Sequence, residues 1–177
     1  MSEGVALNQP AAASAGASVD GRHDFDFLCG LWRVASRLRE DPLASTRTGW
    51  LELEATSEGW PILGGLGHIN VYSAPELAAR PGFPGVALRL FDCEARLWSI
   101  WSASAAAAGQ LGPPVVGRFR NGHGRFEGDD VVRGRAVKVR VDWRDVSRSS
   151  ARCERSVSFD SGQSYETTWI MDWTRIR

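Results

Sequence analysis

The chain has 177 residues, with 21 Lys and Arg balanced by 21 Asp and Glu. That length suits one domain with a real hydrophobic core. Zero net charge argues against the basic face that a phosphate backbone or an electrostatic membrane surface demands, and no apolar run approaches the roughly 20 residues of a spanning helix. Neither nucleic acid nor membrane is expected as a partner.

Residues 1–22 are rich in Ala, Ser and Gly and offer little to bury, so they are expected to form a flexible tail ahead of a domain over 23–177. They lack the basic leader and continuous apolar stretch of a secretory signal. Cys29, Cys93 and Cys153 are odd in number and form no CxxC. That argues for small buried thiols and a cytoplasmic protein rather than a disulfide framework.

From Asp24 onward the hydrophobic period is two. In Leu31–Arg39, Trp32, Val34, Ser36 and Leu38 share one face, and Arg33, Arg37 and Arg39 the other. Trp50–Ser57 sets Leu51, Leu53 and Ala55 against Glu52, Glu54 and Thr56. As antiparallel neighbours, these strands would share a solvated face of opposite charges, each pair contributing about 0.2–1 kcal/mol. Strands follow at Gly67–Ser73, Val86–Asp92 and Leu97–Ala103, with Cys93–Arg96 as a tight connection. Val115–Arg120 and Gly124–Gly128 flank the turn Asn121-Gly122-His123. Ala136–Val146, Ala151–Phe159 and Tyr165–Arg175 complete the set. Only Ala74–Arg80 and Ser104–Gln110 tolerate a helix. About ten strands with short turns predict an all-β fold, a single antiparallel up-and-down barrel whose closure removes exposed edges.

Gly30-Leu31-Trp32 resembles the Gly-x-Trp signature that opens the first strand of lipocalins and other calycin barrels. The resemblance implies that Trp32 closes one barrel end and that an Arg from the end of the last strand packs across it. Arg175, in Trp173-Thr174-Arg175, is the match; a guanidinium on an indole face contributes about 0.5–2 kcal/mol. A wider resemblance rests on His23–Leu28 with Gly30–Trp32, Gly64–Gly67, Leu88–Asp92, Pro114–Phe119 and Trp169–Arg175. These are similar to the pattern of an uncharacterised bacterial family of lipocalin-like barrel proteins. It implies a fold, and no catalytic residue carries over.

Nucleotide, serine-hydrolase and zinc-protease motifs are missing. Gly64-Gly65-Leu66-Gly67 precedes a strand rather than a helix, and so reads as a turn or bulge without a phosphate site. His23, His68 and His123 have no metal-ligand spacing. His68 alone lies within a strand, where a single His could hold haem iron or serve as a hydrogen-bonded structural group. Asp129-Asp130 follows Gly128 as a solvated turn or, at a barrel rim, a cation or general-base site. Glu166 and Asp172 share one face of the last strand. Turned inward they would be acid–base groups; turned outward, as the more apolar face of Tyr165, Trp169, Met171 and Trp173 favours, surface charges. Arg155 breaks the apolar face of Cys153, Val157 and Phe159, and a buried Arg needs an acid or an anionic ligand.

The leading expectation is a barrel that binds a small apolar or aromatic molecule in its interior, without a resident cofactor. Trp50, Tyr72, Trp98, Trp101, Trp143 and Trp169 are the candidate contacts, with Arg155 or His68 fixing a polar end. Alternation puts Trp98 and Trp101 on opposite faces. Trp60 is assigned to a loop or rim, and Trp173 to the floor with Trp32. The alternative is a cofactor-free isomerase or cyclase drawing on Glu166, Asp172, His68 or Tyr72. Haem binding through His68 and a packed barrel acting through its surface remain further readings. A monomer or homodimer is expected.

Overall fold

The computed structural model describes residues 20–41, 49–74, 84–105 and 110–177. Ten strands follow one another: β1 Gly30–Arg39, β2 Trp50–Ile62, β3 Gly67–Ser73, β4 Gly85–Asp92, β5 Leu97–Ser104, β6 Val115–Arg120, β7 His123–Val132, β8 Arg135–Arg144, β9 Ser150–Ser158 and β10 Glu166–Arg175. Each pairs antiparallel with its sequence neighbour, and β1 pairs with β10, closing the expected up-and-down barrel. Among the described residues no helix is long and apolar enough to cross a membrane. The tail expected over 1–22 lies outside the described residues as far as Val19.

The period of two decides which side chains enter the barrel. Trp32, Val34 and Ser36 of β1 are buried while Arg33, Ala35 and Arg37 are exposed, and Leu53, Ala55 and Ser57 alternate likewise in β2. Arg37 stands opposite Glu52 across that ladder. Further round, the outer face is laced by ion pairs between β7, β8, β9 and β10, such as Arg140 with Glu127 at 2.7 Å and Arg152 with Asp172 at 3.0 Å.

Three departures from expectation have local causes. β2 runs on through Trp60 and Pro61, which pair with Ile69 and His68 rather than forming a loop. The inward position between them and Ser57 is Gly59. A Cβ there would lie 2.7 Å from the Leu28 carbonyl oxygen and 2.9 Å from the His68 ring, so only glycine lets strand and floor approach. Asp129 and Asp130 sit within β7 opposite Lys138 and Val137. The chain reverses instead at Arg133-Gly134, whose φ angles of 50° and 80° suit a two-residue hairpin, as do those of Asn121-Gly122 at 52° and 77°. In β10 the register slips between Thr167 and Trp169, and the extra residue, Thr168, is buried with its hydroxyl donating to the Arg155 carbonyl at 3.2 Å. The helix-tolerant stretches fall largely outside the described residues, at 75–80 and 106–109.

One end of the barrel is plugged by the segment ahead of β1, which includes a 3-10 turn at Asp26–Leu28. Phe25 and Leu28 are buried there. Phe25 meets Trp98, Phe119 and Phe126 at centroid distances of 5.1, 5.3 and 5.5 Å. Arg175 locks this plug. Its guanidinium lies 4.4 Å from the Trp32 ring and donates to the carbonyls of Phe27 (2.6 Å), Cys29 (2.7 Å) and Arg148 (2.6 Å). Gly30, at φ 101°, passes so close that a Cβ would lie 2.9 Å from Arg175 Nη1, which accounts for the glycine of Gly-x-Trp. Replacing Arg175 by Met removes three charge-assisted bonds and strands their carbonyls. Urea unfolding is expected to show a loss of about 2–4 kcal/mol, with Lys restoring only part because an ammonium cannot span three acceptors.

Candidate functional site

Above the floor the barrel interior holds a cavity of about 510 Å³. Its wall includes Ile100, Val139, Val141, Trp143, Trp169 and Met171, the inward residues of β5, β8 and β10. Leu38, Gly85, Ser104 and Asp129 border it toward the end of the barrel away from the plug. The size and the apolar lining with few polar groups match those of small-molecule sites. A second depression of about 360 Å³ lies on the outer face against Arg37, Glu52, Glu54 and Asp172 and is a charged surface groove.

Of the residues expected to contact a ligand, Tyr72, Trp143, Arg155 and Trp169 line the cavity. Three tryptophans do not. Trp98 faces inward but lies in the floor, packed on Phe25 and Phe91, with its Nε1–H donating to the Gly21 carbonyl at 2.8 Å. Trp101 falls between Ile100 and Ser102, both of which line the cavity, and so alternates away from it. Trp50 is 40% exposed at the start of β2, with the Arg39 guanidinium 5.6 Å from its ring. Trp173 spans both roles, meeting Trp32 of the floor edge-on and the Trp143 ring at a tilt while bordering the cavity.

The four acid–base candidates are not brought together. Glu166 faces outward to Arg39 at 3.3 Å, and Asp172 faces outward to Arg152 at 3.0 Å. Tyr72 borders the cavity with its hydroxyl 2.6 Å from Ser36 Oγ. Burial, partly offset by that bond, pushes its phenol up to about 12, so it is neutral at physiological pH. His68 is 2% exposed and lies beside the cavity's base rather than in its wall. Its Nδ1 accepts from Arg89 Nη1 at 3.3 Å, and its ring packs against Gly59. Its Nε2 is buried and takes no hydrogen-bond partner among the described residues. Burial, with the adjacent Arg89 charge, pulls its pKa down to about 3.

Arg155 enters the cavity and meets the acid its position required, Asp130, at 3.2 Å. Burial lowers its pKa, and Asp130 opposes that shift. The residue that sequence reasoning missed is Arg89 on β4, 4% exposed and part of the lining. Its Nη1 donates to Asn70 Oδ1 as well as to His68, and Asn70 Nδ2 donates to Ser57 Oγ at 2.9 Å. The guanidinium lies 4.9 Å from the Phe25 ring and 6.0 Å from that of Trp143. The signal was present: Arg89 shares its face with Ala87 and Phe91, the same break in alternation that marks Arg155.

No family profile and no curated protein sequence matches the chain. Among solved structures it is similar to an S-type phycobiliprotein lyase from Guillardia theta, with a TM-score of 0.56 and 10% identity over 91% of this chain and 97% of the other. That likeness is one of fold, a lipocalin-like barrel.

The histidine makes acid stability testable. His68 stays neutral in the folded barrel down to about pH 3, whereas an unfolded histidine takes up its proton near 6.5. Between those values the unfolded chain binds the extra proton, so this group's contribution falls as pH falls. Asp24, pushed up chiefly by burial to about 6, works in the opposite direction, gaining stability on acidification. Comparing wild type with His68→Gln isolates the histidine. Denaturant unfolding at pH 6.5 and pH 5 is expected to move by about 2 kcal/mol in favour of the variant.

Proposed function

We propose that the barrel binds a small, largely apolar molecule in its interior. The observation that carries this reading is the cavity of about 510 Å³, walled by aliphatic and aromatic side chains and reached by a few localised polar groups. Burying apolar ligand surface there supplies affinity at roughly 25 cal/mol per Å², less the cost of immobilising the ligand. Tyr72 and the Arg155–Asp130 pair supply orientation. A cavity of this size suits a molecule of about 20 non-hydrogen atoms at ordinary packing density.

The likeness to a phycobiliprotein lyase supports a ligand-holding barrel without naming what this one holds. The motif resemblance to an uncharacterised bacterial barrel family supports the same scaffold and adds no substrate. Of Glu166, Asp172, His68 and Tyr72 only Tyr72 reaches the cavity, and its neutral phenol donates or accepts a hydrogen bond without acting as a base. Asp129 and Asp130 also line it, but each is engaged by a cation, Lys138 and Arg155 respectively. Binding is therefore the reading favoured over isomerase or cyclase chemistry.

The neutral fluorescent probe N-phenyl-naphthylamine tests it. The probe is expected to bind wild type with energy transfer from Trp143 and Trp169. Ala87→Trp, which fills the cavity from β4, is expected to weaken binding roughly tenfold or more while the far-ultraviolet spectrum is retained. Equal binding by wild type and a folded Ala87→Trp variant would place the probe on the surface and overturn the interior site.

A further inference from the structure

Arg89 stands out in the interior because its charge is unmatched. Arg155 is paired with Asp130, and Asp129 at the cavity edge is paired with Lys138 at 2.7 Å. Among the described residues no carboxylate pairs with Arg89. Its hydrogen bonds go to the neutral acceptors Asn70 and His68, and its buried Nε has no partner. His68 adds no charge at neutral pH, and the Cys153 thiol, which borders the same cavity, is held protonated by burial. Arg89 itself remains a cation, since burial lowers it only to about 10.

A cation in this setting is costly unless something compensates it. The faces of Phe25 and Trp143 supply part of that compensation. Phe25 lies in the floor and Trp143 in the adjoining wall, and Arg89 itself borders the cavity. A guanidinium also presents five donors in a planar fork, of which the acceptors here engage only Nη1. Ser57, Asn70 and His68 hold one edge of the fork in place; Nε is sealed by protein, and Nη2, which engages no acceptor among the described residues, is the donor left for a guest.

Building on the interior-binding reading, we propose that the ligand is an acid: an apolar molecule with a single carboxylate, seated carboxylate-first on Arg89 at the base of the barrel. Its apolar body lies along Val141, Trp169 and Met171 toward the open end. One guanidinium matches one monoanion. A phosphate dianion would need further cations, and the other lining cation, Arg155, is already engaged by Asp130.

The test uses a panel of aromatic and aliphatic carboxylic acids, each beside its own primary amide, competing with N-phenyl-naphthylamine. Acid and amide share shape and differ in charge, so their ratio reads the site's preference. In wild type at least one acid is expected to bind roughly ten- to hundredfold tighter than its amide. Arg89→Met is expected to abolish that preference and leave the amide's affinity unchanged. Arg89→Lys should keep part of it, and Arg155→Met should keep it in full. If Arg89→Met does not fold, the wild-type ratio together with the Lys and Arg155→Met variants decides. The proposal is overturned if no acid outcompetes its amide while the probe still binds; the aromatic floor then compensates Arg89, and the interior-binding reading stands. A preference that follows Arg155 instead of Arg89 also overturns it. If neither the probe nor any panel member binds, the interior-binding reading itself fails, and this inference with it.

Discussion

The clamp of Arg175 on Trp32 and on three backbone carbonyls is the contact from which the rest of the interior follows. β1 and β10 close the barrel through their ladder, but a closed ladder leaves two open ends. Arg175, at the last residue of β10, reaches the Phe27 and Cys29 carbonyls in the segment leading into β1. One side chain thus ties the plug to the strand that closes the barrel. With the plug held, Phe25 is driven into the aromatic cluster of β5, β6 and β7. Phe25 in turn is the ring beneath Arg89. The floor therefore decides both where the cavity stops and what lies at its base.

The two interior arginines show two solutions to one physical problem. Arg155 is matched by an acid on β7, the arrangement expected of a structural buried charge. Arg89 has instead an orienting amide and imidazole on β3 and two aromatic faces. These fix its direction more than they neutralise it. A barrel built only for stability would do better with an apolar residue at this position. Retaining a cation and aligning it with neutral partners is the pattern of a preorganised binding group, whose solvation cost is met before a ligand arrives.

Much of this was legible in the sequence because a barrel strand separates inside from outside with a period of two. The strands and the Asn121-Gly122 reversal follow from that pattern and from turn chemistry. Arg155 was visible as a conflict in it, and Arg89 carried the same conflict within Ala87, Arg89 and Phe91. What alternation does not encode is height along the barrel axis. Trp98 and Trp143 are both inward, yet Trp98 is sealed into the floor by Phe25 and Gly21 while Trp143 borders the cavity. That division depends on where the plug reaches, a contact between residues far apart in the chain. The Asp129-Asp130 pair illustrates a second limit: adjacent acids resemble a turn, but the left-handed conformations at Arg133-Gly134 place the reversal beyond them.

The balanced composition acquires a different meaning once charges are assigned to places. On the outside, positive and negative side chains answer one another across the strands, as Arg140 answers Glu127 and Arg152 answers Asp172. In high dielectric such pairs contribute little stability, and they leave little net field. Inside, the lining has Arg89 and Arg155 facing Asp130 and the edge residue Asp129, and Asp129 is turned to Lys138. The interior thus keeps a positive excess at its base. With apolar walls around it, that charge is screened far less than one at the surface. A cationic guest would meet repulsion at the floor and a neutral one would leave Arg89 unpaired, so on the proposal of an acidic ligand the overall neutrality of the chain conceals a cavity that would discriminate by charge.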